Sequence, residues 1–377
     1  MKKKTALILA LLLPVQIVGL KFLADYPEFV EKWYSTGLYP YTSSLMRLGL
    51  GFIPFSIGDF LYAFFVIMIL RWIFLRFRQR FRNPLQWTLE MVATISIIYF
   101  CFNLFWGINY YRLPLHQSLE IENEYTTEEL QLLTEILVVR ANEVQLSLTG
   151  NDSAKVVIPY GKNELFERTV EGYEGIQDLF PELEYQRVSL KRSLYSIPLS
   201  YMGFNGYLNP LTNEAQVNTV ILPFRIPTTA SHEIGHQLGF AAENEANFIA
   251  CLVTMNHPDP YFRYSGYTYA LSHCLSELFR RNPKLADELL QEINYGIRLN
   301  YQEVEDFWLA HENPFEPIFM YSYNNYLKAN NQAAGMKSYS YVVALLVNYF
   351  KDSAGRDLKI VAPPGCQSSD WRVARGI

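Results

Sequence analysis

The chain is poor in cysteine, histidine and charge. Four cysteines stand in 377 residues, Cys101, Cys251, Cys274 and Cys366, and no two share C-x-x-C spacing. That excludes a thiolate zinc site. Cys251 and Cys274 fall on successive predicted helices, where a disulfide and two buried free thiols both stay open. Charged residues make up 18% of the chain, and the net charge is −5. No basic stripe crosses the C-terminal part, so nucleic acid is excluded as a partner. No internal repeat or low-complexity segment is present, which argues against a transporter built from paired repeats.

Apolar residues are plentiful instead. Half the chain is hydrophobic, and the excess lies in the first third. Three stretches approach the roughly 20 residues that a bilayer span needs. They run over about 5–24 (interrupted by Lys21), 52–75 and 87–107. Lys2, Lys3 and Lys4 precede the first, and Arg71, Arg76, Arg78, Arg80 and Arg82 close the second. Both clusters belong in the cytoplasm by the positive-inside rule. The N-terminus is then cytoplasmic and everything after Tyr110 extracytoplasmic. The first stretch reads as a retained span, since it lacks a small-residue cleavage site, and cleavage would leave the topology unchanged. Asp59 and Glu90 sit near the ends of their spans and read as interfacial polar groups rather than a relay. Residues 1–110 thus form a three-span membrane segment and 111–377 an extracytoplasmic domain, with 354–377 a loose tail.

The most informative segment lies in that domain. His232, Glu233 and His236 spell H-E-x-x-H in a chain with only 6 His. On a helix, residues i and i+4 share a face, so both imidazoles reach one ion. Glu233 then stands where a water on that ion needs a base. Pro227, Thr228 and Thr229 read as the helix start and Gly239 as its stop. The plain alternative is an exposed helix with these side chains in solvent. A second helix follows, with Glu243, Ala246, Asn247 and Ala250 on one small-residue face. Glu243 at its start is the candidate third ligand. Asn247 is placed to hydrogen-bond a ligand from behind. Glu245 points about 160° away and is the alternative third ligand.

H-E-x-x-H followed by E-x-x-A-[ND] resembles the gluzincin metallopeptidases. The run from Glu243 to Ala250 is similar to that of the ImmA/IrrE-type proteases, and E-x-x-A-D to that of the HtpX and CAAX-prenyl membrane proteases. The resemblance implies His232, His236 and Glu243 as ligands of one Zn²⁺ per chain and Glu233 as the base. The spacing departs from those families, which place the Glu much further on. The short gap is closer to metzincins, yet Ala242 stands where a metzincin has its third His. Over nearly the full length, the three apolar segments, Gly107 to Arg112, the H-E-x-x-H-Q-L-G-F run and Tyr264 to Tyr267 resemble an uncharacterised bacterial membrane family, DUF3810. That resemblance implies the bacterial cytoplasmic (inner) membrane and names no substrate.

The expected fold is a multi-span α-helical membrane segment plus a mainly α (α+β) zincin-like metallopeptidase domain. Thr126 and Glu129 read as a capping box opening a helix to about Leu148. Another helix covers about 163–179, strands and turns fill 185–220, and helices run on to Tyr349. Glu214 to Ile221 reads either as an edge strand pairing with extended substrate or as an ordinary covering strand. Tyr264, Tyr267, Tyr339 and His273 are candidate oxyanion donors opposite Glu233. His257 reads as a loop residue.

The expected function is a membrane-anchored zinc metalloendopeptidase acting on a peptide or protein, membrane-associated ones included. The competing expectation is a catalytically silent metal-binding sensor or scaffold. Intramembrane proteolysis is disfavoured, because 227–250 lacks a spanning apolar run.

Overall fold

A computed structural model describes residues 2–80, 82–332 and 341–353. It is mostly helical, with one small sheet. Tyr339, Cys366 and the tail from 354 lie outside the described residues.

Among the described residues, three helices are long and apolar enough to cross a membrane: α1 (Lys3–Leu23), α3 (Ile57–Arg78) and α4 (Pro84–Phe105). Helices α1 and α4 run side by side, with Gln16 Nε2 donating to Ser96 Oγ at 2.9 Å. At the far end of α3, Arg76 pairs with Glu90 of α4. The second span starts at Ile57 rather than 52, because Ser56 caps it by accepting from Asp59 N–H at 2.9 Å. Between α1 and α3 lie a turn (Pro27–Val30), a π-helical stretch (Glu31–Leu38) and α2 (Tyr39–Leu50).

The remainder packs around one core. Its helices are α5 (Thr127–Thr149), α6 (Lys162–Ile176), α7 (Ser196–Met202), α8 (Ile226–Gln237), α9 (Glu243–Met255), α10 (Pro260–Arg281), α11 (Pro283–Glu292), α12 (Tyr295–Leu309), α13 (Glu316–Ala329) and α14 (Tyr341–Ser353). The capping box of Thr126 and Glu129 opens α5, and Gly150 closes it at φ +66°. Helix α8 is buried at every position except His232, which is half-buried. Pro227 stands in its first turn, but no threonine caps it. Thr228 Oγ1 instead donates to the Arg225 carbonyl. Cys251 and Cys274 are fully buried free thiols, so no disulfide joins them. Burial pushes the Cys251 thiol up to about 12.

The region 185–220 holds less strand than its pattern suggests. Strands β1 (Leu190–Arg192), β2 (Gly206–Asn209) and β3 (Glu214–Val217) form a sheet in the order β1-β3-β2, with β1 parallel and β2 antiparallel to β3. β3 is therefore central and buried throughout, and the edge-strand reading of 214–221 is overturned. Its polar residues dock the second span instead. Glu214 accepts from the N–H groups of Ile57 and Gly58 and from Thr212 Oγ1. That places a carboxylate on the positive end of α3. Asp59 is likewise fully buried rather than interfacial, accepting from Leu194 N–H at 2.6 Å and from Tyr207.

Candidate metal centre

Helix α8 presents His232 and His236 on one face, their rings 4.6 Å apart and nearly perpendicular. Gly239, at φ +93°, turns the chain back, a conformation that glycine adopts without penalty. Helix α9 then returns across α8. A Cβ on Gly235 would lie 3.6 Å from Ala246 Cα, so small residues on both helices permit the close approach. This crossing brings Glu243, the first residue of α9, onto the two histidines. Its Oε2 lies 3.4 Å from His232 Nε2 and its Oε1 3.6 Å from His236 Nε2. The three ligand atoms all fall within 4.8 Å of one another.

The donor set fits a divalent cation. His236 Nδ1 sits 2.7 Å from the Phe240 carbonyl, which only accepts. Nδ1 therefore carries a hydrogen and Nε2 faces the cluster. Burial works against a charged His236, but the hydrogen bond and charge of Glu243 outweigh it and raise the pKa to about 9. Burial likewise opposes the Glu243 carboxylate, and its histidine partners hold it well below the usual range. Glu233 is 3% exposed, and its Oε2 has no hydrogen-bond partner among the described residues. Burial pushes its pKa up to about 7, with the nearby histidines pulling the other way. Such a group exchanges a proton readily near neutral pH.

The remaining candidates among the described residues make no side-chain hydrogen bond to this cluster. Glu245 is buried, but its Oε1 accepts from Leu115 N–H at 2.7 Å. It lines a different, polar pocket with Asn109, Arg112 and His116. The Asn247 side chain makes no hydrogen bond to His232, His236 or Glu243 among the described residues; Tyr269 OH donates to its Oδ1 at 2.6 Å. Tyr264 is fully buried and donates to Asn300 at 2.6 Å. Tyr267 lies near Arg140 and Glu143 of α5. His273 packs edge-on against Tyr269 and has no hydrogen bond to the cluster. Burial, with Arg225 and His232 adding to it, pushes its pKa down to about 3. His257 lies in the loop after α9, as its position before Pro258 suggests, and is buried there against the Arg168 carbonyl.

Sequence reasoning missed Tyr323. From α13, eighty residues along the chain, its OH donates to Glu243 Oε1 at 2.6 Å. No motif marks it among 27 tyrosines. Tyr323→Phe is expected to keep the fold and weaken metal binding roughly 10–100-fold, as loss of a ligand's outer partner does. A chelator-competition titration measures this, and unchanged affinity would show that Tyr323 does not orient Glu243.

Also missed were the groups that hold the carboxyl end of α8. Trp106 Nε1 donates to the His236 carbonyl at 2.9 Å, Tyr39 OH to that of Gln237 at 2.8 Å and Arg112 Nη1 to that of Gly239 at 3.0 Å. These satisfy carbonyls that a helix end leaves orphaned. All three donors come from the membrane segment or the turn just after it.

Strand β2 is the strand that lies against the cluster. A Cβ on Gly206 would stand 2.6 Å from both Glu233 Oε1 and the Gln216 carbonyl oxygen. The Gln216 carbonyl is backbone and gives little, so Gly206→Ala must displace β2 or Glu233. A displacement near 1 Å costs about 100-fold in rate. The expected result is that loss of turnover with metal content retained, and full turnover would contradict the placement.

This is a helical protein with three membrane-length apolar helices and a buried His-His-Glu cluster beside a free carboxylate. Residues 34–347 match the model of a protein family described as a protein of unknown function (DUF3810), and the chain belongs to that family. Comparison with curated proteins and with solved structures gives no match.

Proposed function

We propose that the protein is a membrane-anchored metallopeptidase with a zincin-like site. The observation that carries this reading is the convergence of His232, His236 and Glu243 next to a buried Glu233 whose Oε2 has no partner among the described residues. His232, His236 and Glu243 would hold one Zn²⁺ per chain, leaving a position for water. A zinc ion in such a set acidifies a water and polarises a carbonyl. Glu233 accepts the proton of the attacking water and returns it to the departing amine. His236, locked by Phe240 and Trp106, keeps its Nε2 aimed at the cluster. Gly206, by carrying no side chain, lets β2 pack closely against Glu233. Incubating the purified protein with a degenerate peptide library, beside Glu233→Gln, tests the reading. Cleavage by the wild type alone supports it.

The bacterial inner membrane is the proposed location, with the N-terminus cytoplasmic. In support, Leu23, Ile57 and Phe105 all end on the side of the metal centre, while the arginines that close α3 lie at the opposite end. A cysteine introduced at exposed Glu288 on α11 is expected to react with a membrane-impermeant reagent in intact cells. Reaction only after lysis would reverse the orientation.

One observation favours a second reading, a metal-dependent sensor. Hydrogen bonds from Trp106 and Tyr39 tie the carboxyl end of α8 to the membrane segment and one from Arg112 ties it to the turn after that segment, a route by which metal occupancy would act on the spans. Rescue of function in cells by Glu233→Gln would favour that reading.

A further inference from the structure

Helix α2 is amphipathic the wrong way round for a protein in water. Its buried stripe is Tyr39, Ser43 and Arg47, and Arg47 lies over the Tyr185 ring at 5.3 Å. Its outward stripe is Tyr41, Leu45 and Leu48, 77%, 68% and 55% exposed, with Phe52 at 80% just beyond. Both ends of this segment are tethered to membrane-length helices, α1 before it and α3 after it.

Helix α7 repeats the arrangement. Leu194, Ile197 and Tyr201, one turn or so apart, are 55%, 62% and 46% exposed. Its start is pinned to the first turn of α3. Leu194 N–H donates to the Asp59 carboxylate, and Tyr195 OH donates to the Asp59 carbonyl at 2.8 Å. Helix α13 packs against α7, with Asn313 Nδ2 donating to the Tyr201 carbonyl at 2.6 Å. From α13, Tyr326 reaches Phe102 near the end of α4, ring centroids 6.3 Å apart. The same helix carries Tyr323, which bonds Glu243.

We propose that the outward faces of α2 and α7 form an apolar collar seated in the headgroup region of the bilayer, with the metal centre opening at that boundary. Lipid is the occupant because the collar is continuous with the ends of all three spans. Aromatic and leucine side chains over a polar inner face are also what an interfacial helix presents to lipid. The collar sets the substrate class, and this part rests on the metallopeptidase reading. The peptide taken is the juxtamembrane stretch of a membrane-inserted polypeptide, cut just outside the bilayer.

The test uses the full chain in liposomes. Single cysteines replace Leu45, Ile197 and, as control, Glu288, in a chain lacking Cys101 and Cys366. Each carries a fluorophore, and the lipids are brominated just below the headgroup. Strong quenching at 45 and 197 and none at 288 is expected. No quenching at 45 and 197 overturns the collar. Fluorescence that ignores bromine but changes with protein-to-lipid ratio assigns these faces to a second copy and overturns it equally. A degenerate peptide library, free or fused to a membrane-spanning anchor, tests the substrate class. Cutting of the anchored form alone, within the first residues outside the bilayer, is expected. Equal cutting of both forms overturns the substrate class and leaves the metallopeptidase reading intact. Cutting of neither, with quenching present, removes the metallopeptidase reading and leaves the collar standing.

Discussion

Glu233→Gln is expected to retain the metal and the fold while hydrolysis falls by about 10²–10⁴-fold, the usual range for removing a general base. Glutamine has nearly the same shape, so the buried space beside Gly206 stays filled. It also carries no charge, and burial already disfavours the Glu233 carboxylate enough to push its pKa to about 7. Removing a buried charge at neutral pH therefore costs the fold nothing, and thermal stability should hold or rise. None of the three ligand atoms belongs to Glu233, so metal content should not change. Turnover measured on the variant with its metal counted decides the point. Unchanged turnover would remove Glu233 from the chemistry.

His236→Ala and Glu243→Ala are expected to weaken metal binding by more than about 100-fold, beyond the 10–100-fold that loss of an outer partner costs. Each removes one of three donors and strands the other two. In Glu243→Ala the histidines lose the carboxylate that lies between them, and Tyr323 loses its acceptor. Glu245→Ala is the internal control. It also removes a buried carboxylate from α9, but one that serves Leu115 N–H. It should keep full metal affinity and lose stability, by the roughly 1–3 kcal/mol of an orphaned buried donor. Metal loss in Glu245→Ala matching that in Glu243→Ala would mean that the fold, not the cluster, had failed.

The core of the site was legible in the sequence because it is local. The i, i+4 spacing of His232 and His236, the glycine turn at Gly239 and the helix face of Glu243 all follow from periodicity within a dozen residues. The small face of α9 also showed why that helix comes close. What could not be read depends on contacts far along the chain. Tyr323 reaches Glu243 only because α13 folds back across the ends of the spans. Trp106, Tyr39 and Arg112 cap α8 from the membrane segment, and nothing local marks them. The sheet stayed open for a related reason. Glu214, Gln216 and Asn218 read equally as part of an edge strand or of a covering strand, because edge exposure depends on which strands flank them. Their polar side chains are in fact fully buried, with Glu214 against the start of α3 and Asn218 against α7 and the turn after it. Helix α2 escaped notice because its outward apolar stripe suits lipid rather than a protein core.

Counting the metal in the purified full-length protein tests the account most directly. The expected result is about one divalent ion per chain, with zinc the expected metal, although two histidines and a carboxylate hold several. It should be lost in His236→Ala and in Glu243→Ala and kept in Glu233→Gln. A wild-type protein that binds no divalent ion, even when refilled under mild conditions, would contradict it. The His-His-Glu cluster would then be an ion pair between protonated His236 and Glu243, a structural element of the crossing of α8 and α9.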